Sequence, residues 1–438
     1  MECVKIGLLV LLALFAGQTE SATDTKVVCY YDSQAYNRPG NGKFDLNFLD
    51  PALQFCTHLI YGYAGIKEEN FNIAPLDESL DINKQNYKHI VELKRRFPGL
   101  RVLLSVGGNR DVSGEGSEKN LKYRTLLESV ETRLAFINSA HNLVKTYGFD
   151  GLDLAWEFPE TKPRKIRNKI CKFRSPLANI CLTHLPALAS WFVNLKHKIA
   201  GESITDEKAE EHKEQFIALV REFKNAFRHD GILLTLSQLP NVNGTVYYDP
   251  RQIAPNVDFV TTATQLATPK SSTIQARSMS FQLNQGLPAN KLLLGIPTYG
   301  RAWKLNEDSG FTGVPPVAAD GAADPGPYSN EAGLLSYPEI CNKIANQKEI
   351  KAGYLGKLRK VNDPTKRYGT YAYRLPDQNG ENGIWVGFED PDTVGNKAAY
   401  AKAKGLGGIA VLDITLDDFR GTCVSDNFPL LRAAKYRL

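Results

Sequence analysis

Eight short runs dense in Val, Ile, Leu, Tyr and Thr recur along this 438-residue chain, and their spacing constrains the fold more than any other feature. They begin at residues 26 (KVVCYY), 57 (THLIYGY), 101 (RVLLSV), 150 (DGLDLAWE), 231 (GILLTL), 257 (VDFVTTA), 291 (KLLLGIP) and 407 (GGIAVLD). Helix-like sequence fills most of the intervals. Between Asp206 and Arg228, for example, Phe216, Leu219, Val220, Phe223 and Phe227 fall on one face, with acids early and bases late as a helix dipole favours. Strand and helix alternating eight times predict an α/β protein with a (β/α)8 TIM barrel.

A βα unit needs roughly 30 residues. Two intervals are far longer: 81 residues separate the runs at 150 and 231, and 116 separate those at 291 and 407. The second leaves room for a small α+β domain at 302–399, inserted between strands 7 and 8, with 23–301 and 400–438 forming the barrel. The first holds a long loop containing Cys171, Cys181 and the segment Lys162–Arg174, which has seven basic residues in 13 and no acid. Such a segment reads as a solvated loop or, more sharply, as a patch for an anionic polysaccharide.

Residues 1–22 place Lys5 before an apolar run, Ile6 to Ala16, followed by small and polar residues. This is the pattern of a signal peptide, and the run is too short to cross a bilayer of about 30 Å. A secreted, extracellular protein without a membrane span is expected. A formal charge of +5 is too weak to indicate nucleic acid as a partner. Beyond Cys3, six cysteines remain (Cys29, Cys56, Cys171, Cys181, Cys341 and Cys423), an even number that points to disulfides in a secreted chain and by itself allows 15 pairings. None forms a CxxC pair and no histidines stand at metal-binding spacing, so neither a metal nor another cofactor is expected.

Chemistry concentrates on the fourth run. Residues two apart on a strand share a face, so Gly151, Asp153, Ala155 and Glu157 point one way and Leu152, Leu154 and Trp156 the other. The polar set should line the barrel interior, with Glu157 at the C-terminal end where this fold carries its active sites.

FDGLDLAWEFP resembles the DGxDxDxE signature of family 18 glycoside hydrolases, the chitinases. LLSVGG at 103–108, GIPTYGRAW at 295–303, IWVGFEDP at 384–391 and GGIAVLDITLDDF at 407–419 are similar to further segments of that family, so the likeness covers nearly the whole chain beyond residue 22. The resemblance implies disulfides Cys29–Cys56 and Cys341–Cys423, with Cys171 and Cys181 forming a remaining local pair. It also implies a substrate-assisted reaction, in which the sugar's acetamido group attacks the anomeric carbon while a glutamic acid protonates the leaving oxygen.

Against that pattern, Asp150, Asp153 and Glu157 are present, but the aspartate that orients the acetamido group is replaced by Ala155, whose methyl neither hydrogen-bonds nor carries charge. The sixth-strand Tyr-Asp pair is replaced by Gln265 and Leu266, and the sugar-stacking tryptophans by Gln34, Asn109 and Leu412. Tyr299, Arg301 and Trp385 remain as remnants of the substrate groove. Weak or no chitin-oligosaccharide binding follows, because aromatic faces supply much of the contact with pyranose rings.

VREFKNAFRHDGILLTL, LPNVNGTVYYDP and LDITLDDFRG resemble the insect imaginal disc growth factors, a chitinase-like branch of family 18. This implies a catalytically inactive extracellular factor in growth and morphogenesis, with a role in cuticle or matrix organisation and an unknown cell-surface receptor or matrix component as partner. An active chitinase and a chitin-binding lectin are the competing readings. Asn243-Gly244-Thr245 is a glycosylation sequon in a turn-rich segment, so a glycan on Asn243 is expected.

Overall fold

A computed structural model of the chain describes residues 25–114, 119–159, 162–163, 202–203, 206–240, 242–262, 279–306, 319–344, 346, 357–362, 370–376 and 382–438. The eight runs form β1 (Lys26–Asp32), β2 (His58–Ile66), β3 (Arg101–Gly107), β4 (Gly151–Ala155), β5 (Leu233–Gln238), β6 (Phe259–Thr262), β7 (Leu292–Pro297) and β8 (Gly408–Leu412). Each pairs in parallel with its chain neighbours, and β1 pairs with β8 as well as β2, so the sheet closes into the expected (β/α)8 barrel.

Alternation along the strands divides two apolar sets. Val28, Tyr30, Ile60, Leu103, Phe259, Leu293 and Ala410 pack together inside the barrel. Val27, Tyr31, Leu59, Tyr61, Leu152 and Leu154 face outward into the larger core beneath the helices. Every second residue therefore belongs to the same core, as the pleat requires.

Helices α1 (Asn86–Glu92), α2 (Leu121–Glu128), α3 (Val130–Tyr147) and α4 (Ala209–Phe227) lie among the barrel connections. The Ser129 side chain accepts the Thr132 N–H at 3.3 Å to start α3, and Gly148 in the left-handed region stops it. In α4, Phe216, Leu219, Val220, Phe223 and Phe227 are all buried, each contributing about 1.5–3 kcal/mol of burial.

Between β7 and β8 the chain builds a second, antiparallel sheet, of six strands among the described residues, running from Tyr299–Leu305 to Gly383–Phe388. Helix α5 (Pro391–Ala403) then packs on β7, β8 and α6 (Pro429–Arg437). Disulfides join Cys29 to Cys56 and Cys341 to Cys423, each with Cα atoms 5.9 Å apart. The second ties the inserted sheet's helix to the segment after β8. Residues 1–22, Cys171 and Cys181 lie outside the described residues.

Candidate functional site

Asp153 stands at the centre of the barrel, fully buried. Its carboxylate accepts hydroxyl hydrogen bonds from Ser105 on β3 (2.8 Å), Thr235 (2.7 Å) and Ser237 (2.9 Å) on β5. Tyr30 on β1 continues the network to Ser237 at 2.6 Å and donates to Thr261 at 3.2 Å. Burial pushes the Asp153 carboxyl upward, and the three hydroxyls oppose it. This is a fully satisfied interior carboxylate. Ala155, two residues on, is 1% exposed.

Glu157 follows at the barrel mouth but is only 2% exposed. Its Oε1 accepts the Asp111 N–H at 3.2 Å, and its Oε2 accepts a hydrogen bond from the Asn120 side-chain amide. Burial lifts the carboxyl to about 7, held back by the Asp111 N–H. A general acid must reach the leaving oxygen within hydrogen-bond distance. Here both carboxyl oxygens are engaged by the loop that follows β3.

The local sequence explains how that loop folds over the strand ends. Gly107 and Gly108 both have positive φ, and side chains there would strike the Ala155 carbonyl and the Tyr63 ring at 2.4 and 2.1 Å. The turn they permit sends Asp111 inward. Asp111 accepts hydrogen bonds from the Ile66 N–H (2.9 Å), Lys122 Nζ (2.6 Å) and the Tyr123 hydroxyl (2.8 Å), pinning the loop to β2 and α2. Asn120, itself in the left-handed region, accepts the Ser113 N–H at 2.9 Å with its carbonyl oxygen while its amide holds Glu157.

A chain of charges crosses the same mouth. Arg110 meets Asp32, at the end of β1, at 2.5 Å, and Glu331 of the inserted region at 3.9 Å. Glu331 in turn pairs with Arg301 at 3.5 Å, and the Arg301 guanidinium lies 5.3 Å from the Tyr299 ring centre. On the other flank, Asp413 accepts the Asp32 N–H at 3.4 Å and pairs with Arg38 at 3.3 Å. Burial raises the Asp413 carboxyl, with Arg38 opposing and Asp32 adding to the rise.

Two expectations need correction. Asp150 does not join the site: its Oδ2 accepts the Val102 N–H at 2.8 Å and its Oδ1 pairs with Lys94 at 3.1 Å, at the N-terminal end of β4. A strand rises about 3.3 Å per residue, so adjacency in the motif becomes the length of the barrel. Trp385 is not a groove face either. It is 3% exposed inside the inserted sheet, opposite Trp303 in register and stacked on Tyr371 at 5.5 Å.

Of the positions matched to sugar platforms, Gln34 accepts a hydrogen bond from Asn37 at 3.1 Å, Asn109 takes a left-handed turn, and Leu412 packs down onto the barrel's interior core. Gln265 and Leu266 lie outside the described residues, as do residues 164–174 of the basic segment; Lys162 pairs with Ser203 and Pro163 with Glu202. Asn243 caps a short helical turn, its side chain accepting the Thr245 N–H at 3.0 Å. Asn120, Arg110, Asp32 and Glu331 escape the sequence reading; a Gly-Gly at a strand end followed, after Asn109, by the charged pair Arg110-Asp111 is the one signal, and it marks only the loop of Arg110 and Asn120. Among the described residues no cluster of His, Cys, Asp and Glu could hold a metal, and no helix is long and apolar enough to cross a membrane.

Comparison with known proteins identifies the barrel. The family model for glycosyl hydrolases family 18 matches residues 26–417. The chain belongs to that family. Within family 18 it stands with the chitinase-like imaginal disc growth factors. It is 47% identical to chitinase-like protein Idgf4 of Drosophila melanogaster, covering 100% of both chains. It is 46% identical to bacteria-responsive protein 1 of Aedes aegypti, covering 99% of each. Among solved structures it is similar to a group IV chitinase of Ostrinia furnacalis, with a TM-score of 0.72 and 26% identity over 95% of this chain and 100% of that one. The family 18 barrel thus frames a mouth whose carboxylic acid is held by hydrogen bonds and whose rim is laced by ion pairs.

Proposed function

We propose that this family 18 protein is a secreted, catalytically silent chitinase-like factor that promotes growth or morphogenesis through a cell-surface receptor or matrix component. The observation that carries the reading is the engagement of both Glu157 oxygens by Asp111 and Asn120. Ala155 adds to it, since a methyl gives an acetamido group nothing to bind. So does the rim, where Arg110 and its carboxylates stand in place of a broad aromatic surface, leaving little to hold a chitin chain. The relatives' names, chitinase-like protein and imaginal disk growth factor, favour an extracellular signalling role over hydrolysis. Secretion after removal of residues 1–22, and a glycan on Asn243, belong to the same proposal.

The test is direct. The protein collected from the medium of expressing insect cells should begin after residue 22, lose mass on deglycosylation, and raise proliferation of cultured imaginal disc cells. It should release no fluorophore from a chitotriose substrate between pH 4 and 8. Turnover would restore the chitinase reading, and tight chitotetraose binding followed by tryptophan fluorescence would favour a lectin.

A further inference from the structure

Lys122 and Asp111 meet where the loop that follows β3 returns to α2. Lys122 Nζ lies 2.6 Å from Asp111 Oδ1, and each side chain is only 8% exposed. The two charges have almost no water to solvate them. A buried ion pair bears the desolvation cost of both ions, whereas an amide made from the same atoms carries no charge.

The neighbours hold the two groups for such a reaction. At Gly65 on β2 a side chain would strike the Asp111 carboxyl carbon at 2.7 Å, so the missing Cβ is what lets the carboxyl lie against the strand. Ile66 does more. Its N–H donates to Asp111 Oδ2 at 2.9 Å and its carbonyl accepts from Lys122 Nζ at 2.8 Å, so one residue positions both the carboxyl and the amine. The Tyr123 hydroxyl also donates to Oδ2, at 2.8 Å. Tyr123 is itself fully buried, its ring edge-on to Trp156 at 5.0 Å.

Among the described residues Oδ2 therefore has two donors, while Oδ1 faces the lysine alone. This asymmetry matters. Two fixed donors on one carboxyl oxygen stabilise the charge of a tetrahedral intermediate, and the other oxygen is left to depart.

We propose that Lys122 and Asp111 condense into an intramolecular isopeptide bond. A proton passes from Nζ to Oδ1 across the 2.6 Å contact, and the freed lone pair adds to Cγ. Negative charge then rests on Oδ2, under the Ile66 N–H and the Tyr123 hydroxyl. A second proton moves from Nζ to Oδ1, the Cγ–Oδ1 bond breaks and one water leaves, so that an Nζ–Cγ amide remains. Atoms and charge balance within the pair, and no oxidant, reductant or further reactant is needed. Partners already held in contact replace a bimolecular encounter with a high effective concentration. The bond fastens the loop of Arg110 permanently to the first turn of α2. It concerns the covalent structure of that loop and does not depend on the growth-factor reading.

The experiment is intact mass measurement of the secreted, full-length protein after reduction and deglycosylation, followed by tryptic mapping. The mass should fall one water below the value its sequence requires. Peptides 111–119 and 120–124 should appear as one branched species, with no cleavage after Lys122. Lys122→Met should restore the full mass, and the neighbouring Lys119→Met should not. Tyr123→Phe, which removes one donor to Oδ2, should raise the unlinked fraction severalfold. A wild type of full mass that releases 111–119 and 120–122 as separate peptides overturns the proposal, and this measurement requires no variant to fold. A water deficit that persists in Lys122→Met overturns it too, because the loss then arises elsewhere in the chain.

Discussion

The side-chain amide of Asn120 donates to Oε2 of Glu157 across 37 residues of sequence, while the carbonyl oxygen of the same amide accepts the Ser113 N–H. One asparagine thus fixes both the loop and the acid beneath it.

Asn120→Gly preserves the left-handed backbone and deletes both contacts of the amide, of which only the one to Glu157 should depend on pH. The Glu157 carboxyl is raised by burial to about 7 from an ordinary 4.5, which means the native state holds its proton more tightly than the unfolded chain. Its contribution to stability is complete below about pH 4.5 and is lost as pH rises through about 7. Removing a donor to the ionised form raises the native value further. The variant should therefore lose about 1–3 kcal/mol at pH 8 and distinctly less at pH 5, measured by denaturant unfolding at both pH values. Equal losses at the two pH values would show that Asn120 acts on the loop alone.

Asp81 is fully buried, accepts the Tyr61 hydroxyl with one oxygen and leaves the other without a partner among the described residues. Burial lifts its carboxyl to about 7, so its ionisation weighs against folding as pH rises from about 4 to about 7. Asp81→Asn keeps an acceptor for Tyr61 and removes the charge. A gain on the order of 2 kcal/mol is expected at pH 8 and none near pH 4, read from paired unfolding curves. A loss at pH 8 would mean that the ionised carboxylate has a stabilising partner.

Ala155→Asp should not yield a chitinase. The new carboxyl would be buried within two residues of both Asp153 and Glu157, where like charges and desolvation favour its neutral form and cost about 1–3 kcal/mol of stability. Groups that act as a unit recover little when one is repaired. Fluorogenic chitotriose hydrolysis by the variant should stay at the wild-type baseline, and strong turnover would show that position 155 alone silences the site.

The Cys341–Cys423 bond closes 82 residues of chain. Cys341→Ala with Cys423→Ala should lower stability by about 2–4 kcal/mol, and limited proteolysis should then cut within 302–399 sooner than in the wild type. Unchanged cleavage kinetics would assign the inserted sheet's stability to its packing.

The barrel was legible because each strand carries its own local signature: β-branched and aromatic residues between turn-formers, repeated eight times, leave few other ways to bury them. The interior role of Asp153 followed from the two-residue period. The position of Asp150 did not, since a motif written as a string hides the length of the strand beneath it. Trp385 misleads for a related reason: an aromatic retained from a sugar-binding family reads as groove surface, yet its cross-strand partner Trp303 and neighbour Tyr371 draw it into a core. The contacts of Asn120 with Glu157 and of Glu331 with Arg110 were illegible because each joins segments far apart in the chain, and no periodicity links residues that meet only after the chain has closed.

Arg110 joins the first barrel strand to the inserted region through Asp32 on one side and Glu331 on the other, and Glu331 is substantially exposed. The Asp32 contact is sheltered from solvent; the Glu331 contact is not. Screening lengths shrink from about 10 Å at 0.1 M salt to about 3 Å at 1 M, so the outer half of this bridge weakens in brine while the inner half persists. Salt thus sorts the two contacts of a single guanidinium, loosening its hold on the inserted region while leaving it fastened to the first barrel strand.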